Sequence, residues 1–329
     1  MEVVFLRSVT VLITVRNTSH LIKKCIDSVL SLDYPKNKYK VFVVDAFSTD
    51  GTYEVLKGYG KKIILKQLKG NAPKAYNYAV RMINTDLIAF TNADCAVNKK
   101  WLKEITKPFD DEKILAVAGF TSNPSKPETK LQGIIGIELE DRYNNFPKKI
   151  LRAPDMNLCI RTKVLKKIKL DESFDVAYDT DFGYKINKIG GLGSIIYQPK
   201  AIVYHYHRAI WKAYFKQQYR YAKAVPRVYL GKHKTRILGD NISKSYMPVQ
   251  IALLYLTVLF GLTLLISSRV ALFFYASAFI LLLSYLTHAL RLSKSFEDMI
   301  WFLCLFFVRN VAWNLGIFVG ILNQIKSSL

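Results

Sequence analysis

An α/β fold built on a parallel sheet, followed by a membrane region, is what this 329-residue chain predicts. Three observations carry that reading. Short β-branched or apolar runs (9–15, 39–45, 87–90) end in polar residues and are separated by helical patterning, the alternation expected of a parallel sheet. The charge is divided unevenly: the formal net charge of +23 belongs mostly to residues 1–245, whereas 250–325 is strongly apolar. Within that apolar part, stretches at about 249–267, 270–290 and 299–322 approach the roughly 20 residues a helix needs to cross hydrocarbon.

The first run, 9–15, leads into Arg16-Asn17 and then an amphipathic stretch. Leu21, Ile22, Cys25, Ile26, Val29 and Leu30 recur at helical spacing, with Ser19 as the expected N-cap and Tyr34-Pro35 as the stop. A second strand, 39–45, ends in Asp45 and a polar turn, Ser48-Thr49-Asp50-Gly51, which completes a βαβ unit. The apolar run 87–90 feeds a tip carrying Asn92 and Asp94. Ligands of open α/β sheets sit at the carboxyl ends of strands, and a carboxylate with an amide two residues earlier offers hard oxygen ligands to a divalent cation. A surface turn after a buried strand has the same appearance. Another strand is expected at 115–120, and 121–150, rich in proline, reads as an irregular flap facing an acceptor.

The stretches TVRN (14–17), VFVVDAFSTDGT (41–52) and FTNADC (90–95) resemble, in order and spacing, the first motifs of family 2 glycosyltransferases. The resemblance covers roughly residues 9–230. It implies a GT-A domain with a mixed, mostly parallel sheet, and inverting transfer of a sugar from a nucleotide diphosphate sugar, assisted by Mg2+ or Mn2+. Asp45 would accept a hydrogen bond from the nucleobase, with Arg16, Asn17 and the turn at Ser48–Asp50 bordering that pocket. Lys74 would face the donor phosphates and Asn77 the sugar. Asn92-Ala93-Asp94 would be the metal motif; the family usually has Asp at its first position, so Asp94 is left as the principal carboxylate ligand. Asn157, in PDMNLCIR, would lie near the acceptor. In YDTDFGYK, Tyr178 replaces the usual Glu, Asp179 becomes the base and Asp181 starts a helix over 182–189. His205, at the end of a strand and in alternation with His207, would approach the metal. Gln217, Arg220 and Tyr221 resemble the Gln-x-x-Arg-Trp signature, Arg220 pairing with phosphate and Tyr221 stacking on an acceptor sugar.

For the organisation of the chain, the expectation is a GT-A domain over 1–208, basic aromatic interfacial helices over 209–248, and a membrane domain over 249–329. The third apolar stretch holds Arg309, Asn310 and Asn314 near its centre, and a central arginine must face protein, water or a lipid phosphate. Gly316 and Gly320, four apart, suit the close approach of another helix. The distribution of Lys and Arg puts the catalytic part and the 291–298 loop on the cytoplasmic side of the cell membrane and the C-terminus outside. Arg7 interrupts the leading apolar runs, which argues against a signal peptide. Four scattered cysteines suggest neither a zinc site nor a disulfide framework. The implied acceptor is lipid-linked: a polyprenyl phosphate, a lipid-linked oligosaccharide or a glycolipid. Nucleic acid is not an expected partner, and oligomers are compatible with the sequence. Two other readings stand beside this one. One is a processive polysaccharide synthase, which the Gln217–Tyr221 stretch allows but for which three spans are few. The other is a non-catalytic membrane or nucleic-acid-binding protein, supported only by the positive charge.

Overall fold

The computed structural model describes residues 6–233 and 240–328. Residues 1–5, where the signal-peptide expectation begins, lie outside the described residues, as do 234–239 of the expected interfacial segment. The chain forms two compact units, Met1–Lys126 with Tyr143–Tyr206, and Pro127–Arg142 with His207–Leu329. Its strands are β1 (Val9–Val15), β2 (Tyr39–Asp45), β3 (Ile64–Gln67), β4 (Leu87–Phe90), β5 (Cys95–Val97), β6 (Ala116–Ser122), β7 (Leu158–Arg161) and β8 (Ile195–His205). Its α-helices are α1 (Ser19–Leu30), α2 (Thr52–Lys57), α3 (Ala72–Val80), α4 (Trp101–Thr106), α5 (Lys130–Asn144), α6 (Thr162–Ile168), α7 (Tyr178–Gly190), α8 (Trp211–Val225), α9 (Tyr246–Leu264), α10 (Ala271–Leu292) and α11 (Phe296–Ser328).

The first unit is organised by one mixed sheet in the order β3-β2-β1-β4-β7-β6-β8-β5. β1, β2, β3 and β4 are mutually parallel, β7 runs antiparallel to β4 and β6, and β5 runs antiparallel to β8. The β-branched runs fit this arrangement because both faces are covered, leaving β1, β2 and β4 almost wholly buried. Helix α1 closes one face with Leu21, Ile22, Cys25, Ile26 and Val29. Its N-terminus departs from expectation. Thr18 occupies the N-cap, but its hydroxyl donates to the Arg16 carbonyl and accepts no helix N–H; the carboxylate of Asp50, from the turn after β2, accepts the Ser19 backbone N–H at 3.0 Å. Asp50 also accepts the Thr52 N–H at 3.1 Å, so it is a turn and cap residue. In register, Val15 lies beside Asp45 and Asp45 beside Gln67, while Leu12 pairs with Phe90. Parallel pairing therefore brings the carboxyl ends of β1, β2 and β4 to one edge of the sheet.

Two expectations about local structure are corrected. Residues 121–150 are not irregular throughout, since they contain α5. Pro124, Pro127 and Pro147 lie on either side of that helix and none lies within it. Helix α7 starts at Tyr178 rather than at 182, so Asp179 and Asp181 both fall in its first turn, where acidic residues oppose the helix dipole.

In the second unit, Leu131, Ile134 and Ile135 of α5 form an apolar core with Tyr214, Leu281, Tyr285, Ala289, Phe302, Leu305 and Phe306. Among the described residues, three of its helices are long and apolar enough to cross a membrane. The polar groups of α11 turn toward protein. Arg309 Nη1 donates to Glu138 Oε1 at 2.7 Å, and the other Glu138 oxygen accepts from Arg142 at 2.7 Å. Burial alone would push the Glu138 carboxyl up, but the two guanidinium charges hold it below its usual range. Asn310 donates to the Gln250 carbonyl at 2.9 Å and to the Tyr285 hydroxyl. Gly316 and Gly320 do receive a neighbouring helix, and that helix is α8. A Cβ on Gly316 would meet the Tyr219 carbonyl at 2.6 Å, and one on Gly320 the Lys223 carbonyl at 2.5 Å.

Removing one partner of a buried ion pair strands the other charge. Glu138→Ala should therefore lower stability in detergent by about 3 kcal/mol, more than Arg142→Ala, and the pair Glu138→Leu with Arg309→Leu should recover much of it. Thermal unfolding of the purified variants checks the order.

Candidate active site

Antiparallel pairing of β5 with β8 places Cys95 opposite His205, and Asp94 immediately precedes β5. The result is a 3.6 Å approach of His205 Nε2 to Asp94 Oδ2. Asp94, Cys95 and His205 offer ligand atoms within 4.8 Å of one another. Burial pushes the Cys95 thiol well up, and the Asp94 charge adds to that, so it is held as a neutral thiol. The carboxylate and imidazole are thus the pair suited to a hard or borderline divalent cation.

Beside this pair lies a carboxylate that sequence reasoning passed over. Asp155, at the turn before β7, accepts hydrogen bonds from the Tyr178 hydroxyl at 2.6 Å, the Tyr76 hydroxyl at 2.9 Å and the Asn92 amide at 3.4 Å. Burial raises its pKa despite these three donors. Asp155 thereby links the loop bearing Asn92 and Asp94 to the first turn of α7. The next residue of α7, Asp179, lines a small recess with Tyr76, Phe90, Asp155, Leu158 and Tyr178. Its carboxyl is pushed up to about 6, by burial first and by the Asp155 charge second, against the opposing pull of Arg152. The signal for Asp155 is present in PDMN, an acid just ahead of a strand, two residues before the more conspicuous Asn157.

Asn157 itself is a framework residue, which corrects its expected place toward an acceptor. It is 2% exposed; its Oδ1 accepts from the Trp101 indole at 2.8 Å, and its Nδ2 donates to the carbonyls of Phe120 and Ala201 at 2.8 and 3.0 Å. Asp181 is likewise wholly buried and pairs with Lys185 at 2.8 Å, so the structure makes it an internal brace of α7. Asn77, expected toward the sugar, is spent on the backbone of Leu170, which it bonds with both amide atoms at 2.9 and 3.0 Å.

On the opposite flank, Asp45 ends β2 wholly buried. Its carboxylate accepts from Ser48 and from Gln67 Nε2 at 2.9 Å. Asn17 joins the same turn, accepting the Thr49 N–H at 2.9 Å while its own N–H donates to Ser48 Oγ at 2.9 Å. Arg16 and Lys74 are exposed near the ends of β1 and the start of α3. Left-handed backbone at the non-glycine residues Asn17, Phe47 and Ala177 falls in the loops around Asp45 and Asp179, and such strain concentrates where side chains must be aimed. Strand β8 ends at His205, so His207 lies beyond its alternation. Gln217, Arg220 and Tyr221 belong to α8 of the second unit, Arg220 and Tyr221 being exposed.

The Glycosyl transferase family 2 profile matches residues 10–169, the stretch that carries Asp45, Asp94 and Asp155. The chain carries a family 2 glycosyltransferase domain. Over 100 residues it is 33% identical to "Glycosyltransferase AglE" of Haloferax volcanii, covering 29% of this chain and 33% of that protein. The chain thus spans about a third of that relative's length. Over 243 residues it is 22% identical to a Methanococcus voltae protein named "Dolichyl N-acetyl-alpha-D-glucosaminyl phosphate 3-beta-D-2,3-diacetamido-2,3-dideoxy-beta-D-glucuronosyltransferase", covering 66% of this chain and 72% of that one. Among solved structures, the mannosyltransferase PcManGT from Pyrobaculum calidifontis, in complex with GDP-Man and Mn2+, superposes with a TM-score of 0.59 at 17% identity, covering 95% of this chain and 88% of that one. That likeness, with the sheet order, establishes the GT-A fold of the family 2 domain.

If Asn157 is framework, Asn157→Leu should destabilise the family 2 domain by about 3 kcal/mol, because an indole N–H and two carbonyls lose their partner. Thermal unfolding should register the loss, while the KM for any acceptor stays within about twofold in the folded fraction.

Proposed function

We propose that this protein is a membrane-bound inverting glycosyltransferase that moves a sugar from a nucleotide diphosphate sugar to a lipid-linked acceptor on the cytoplasmic side. The observation that carries the reading is the Asp155 cluster, which ties the Asn92–Asp94 loop to the turn of α7 that holds Asp179. A donor and a base must be brought to one place for transfer, and this cluster joins the residues suited to each.

Asp45, with Arg16 and the Asn17 and Ser48 loops beside it, would receive the nucleobase, and Lys74 would face the diphosphate. Asp94 and His205 would hold Mg2+ or Mn2+, which supplies positive charge to the departing nucleoside diphosphate. The joint presence of GDP-Man and Mn2+ in the PcManGT complex supports that pairing. The acceptor oxygen attacks C1 from the face opposite the nucleotide, and the C1–O bond to the diphosphate breaks, inverting the centre. For a hydroxyl acceptor, Asp179 takes the proton as the bond forms. For an ionised phosphate acceptor, Asp179 orients the nucleophile instead. The apolar helices of the second unit and the lipid phosphate in the name of the Methanococcus voltae relative favour a polyprenyl-phosphate-linked acceptor. Gln217, Arg220 and Tyr221 remain candidates for that acceptor.

Membranes containing the protein should transfer label from one member of a panel of radiolabelled nucleotide sugars into the lipid extract; absence of transfer across the panel contradicts the reading. In that assay Asp94→Ala should abolish both transfer and metal-dependent donor binding. Asp179→Asn should keep donor binding and lose at least about a hundredfold in kcat, the scale of general-base catalysis. With a hydroxyl acceptor, kcat should rise with pH through about 6 as Asp179 loses its proton, and flatten above. A profile flat down to about pH 5, a full unit below that value, excludes Asp179 as the base.

A further inference from the structure

Three helices have the length and apolarity of membrane spans, but the packing of the second unit sorts them into two kinds. Helices α9 and α10 form a hairpin whose outer halves pack on each other: Thr257 meets Ser277 at 3.1 Å, and the rings of Phe260 and Phe273 lie 5.5 Å apart. Little of either is covered, 6% of the apolar window in α9 and 17% in the helix that includes α10, against 44% in α11. The hairpin packs on the first half and the middle of α11: Leu281, Tyr285 and Ala289 share a core with Phe302, Leu305 and Phe306, Tyr285 and Gln250 reach Asn310, Tyr255 reaches Asn314, and the His288 ring meets Phe306.

Helix α11 has another neighbour along its course. The Trp211 and Trp301 rings stack at 5.7 Å, and the Trp313 indole donates to Gln218 at 2.9 Å. Gly316 and Gly320 press on Tyr219, Ala222, Lys223 and Pro226, and Gly231 lies against Gln324. Helix α8 and its π-helical continuation Pro226–Lys232 thus run parallel to α11 from residue 301 to 324, about 35 Å at 1.5 Å per residue. Lys212, Lys216, Arg220, Lys223 and Arg227 follow one another along α8 and its continuation at spacings of four, four, three and four, and all five are exposed, Lys223 although its backbone meets α11. If α11 crossed the bilayer, this helix would cross beside it and set a row of cations against lipid tails, an arrangement that membranes exclude. The opposite side of α11 presents Phe296, Ile300, Phe307, Phe318, Leu322 and Ile325, each at least 40% exposed. A long helix with an apolar face and a cationic helix on its back has the build of an element lying in the membrane surface.

We propose that α11 lies in the membrane interface with this apolar face in the acyl boundary and α8 stacked on its water side, and that only α9 and α10 cross. The C-terminus then lies on the same side as α8. Arg269, between α9 and α10, is the only charged residue from 246 to 290, so nearly all of the chain's Lys and Arg stay on one side, as the positive-inside bias favours. This replaces three crossings with two and reverses the side expected for the C-terminus. It holds whatever sugar or acceptor the protein uses.

The test uses the full-length protein with a peptide tag before Met1, between Ser267 and Ser268, or after Leu329, in sealed membrane vesicles treated with an impermeant protease. The outer tags should be cut together and the hairpin tag oppositely; an N-terminal and a C-terminal tag of opposite protection overturn the proposal. A second measurement does not depend on tags. A spin label on the native, exposed Cys304, and on Ile300→Cys, Phe307→Cys, Phe318→Cys and Ile325→Cys in a Cys304→Ser background, reports depth in nanodiscs. Similar shallow depths along the series are expected, whereas depths passing through the bilayer midplane overturn the proposal.

Discussion

A carboxylate removed from water is stable only if its surroundings replace the lost hydration, and the candidate active site at the strand ends depends on how Asp155 meets that condition. Two tyrosine hydroxyls and one amide supply the donors, and each comes from a different element: Tyr76 from α3, Tyr178 from α7 and Asn92 from the loop after β4. The same bonds that make the buried acid tolerable therefore fix three elements relative to one another. They also account for two departures from the family's usual motifs. Tyr where Glu is common, at 178, and Asn where Asp is common, at 92, are the residues that donate to Asp155. Further acids in either place would have crowded like charges around it. The raised pKa of Asp179 follows from the same arrangement, since burial and the neighbouring Asp155 charge both favour its protonated form.

The second unit meets the same requirement in a more apolar setting. Glu138 is nearly inaccessible, and the guanidinium groups of Arg142 and Arg309 neutralise it from two sides. Placing an arginine in the middle of an apolar helix is permissible there because its partner comes from α5. Asn310 and Asn314 continue the polar seam, with Asn314 donating to the Asn310 carbonyl at 2.9 Å. The helix is consequently specified on its inner side by hydrogen bonds and close glycine contacts, and only its outer side is left for lipid.

Much of the first unit was legible because its signals are local. The runs at β1, β2 and β4 are β-branched and end in polar residues, so strand type and the placing of Asp45 and Asp94 at strand ends follow from short windows of sequence. Helix α5 was hidden by Gly133, Gly136 and the prolines on either side, which mimic a loop, and its stability comes from burying Leu131, Ile134 and Glu138 in tertiary contacts. Asn157 and Asp181 illustrate a different limit. An exposed ligand and a satisfied buried amide or acid leave the same letter in a sequence, and only the Trp101 indole and Lys185 ammonium beside them separate the two. At α11, hydropathy registers the apolar length that the structure bears out, but not that α8 runs alongside.

In the function proposed above, catalysis by the first unit would turn on Asp94 and His205 as a metal pair beside the Asp155 cluster. A crystal structure of the protein with Mn2+ and a nucleoside diphosphate, with the manganese located by its anomalous scattering, tests that most directly. One strong peak is expected within about 2.3 Å of an Asp94 carboxylate oxygen and of His205 Nε2, contacting the diphosphate. A nucleotide bound with its manganese away from Asp94, or bound elsewhere than at the carboxyl ends of β1, β2 and β4, would contradict it.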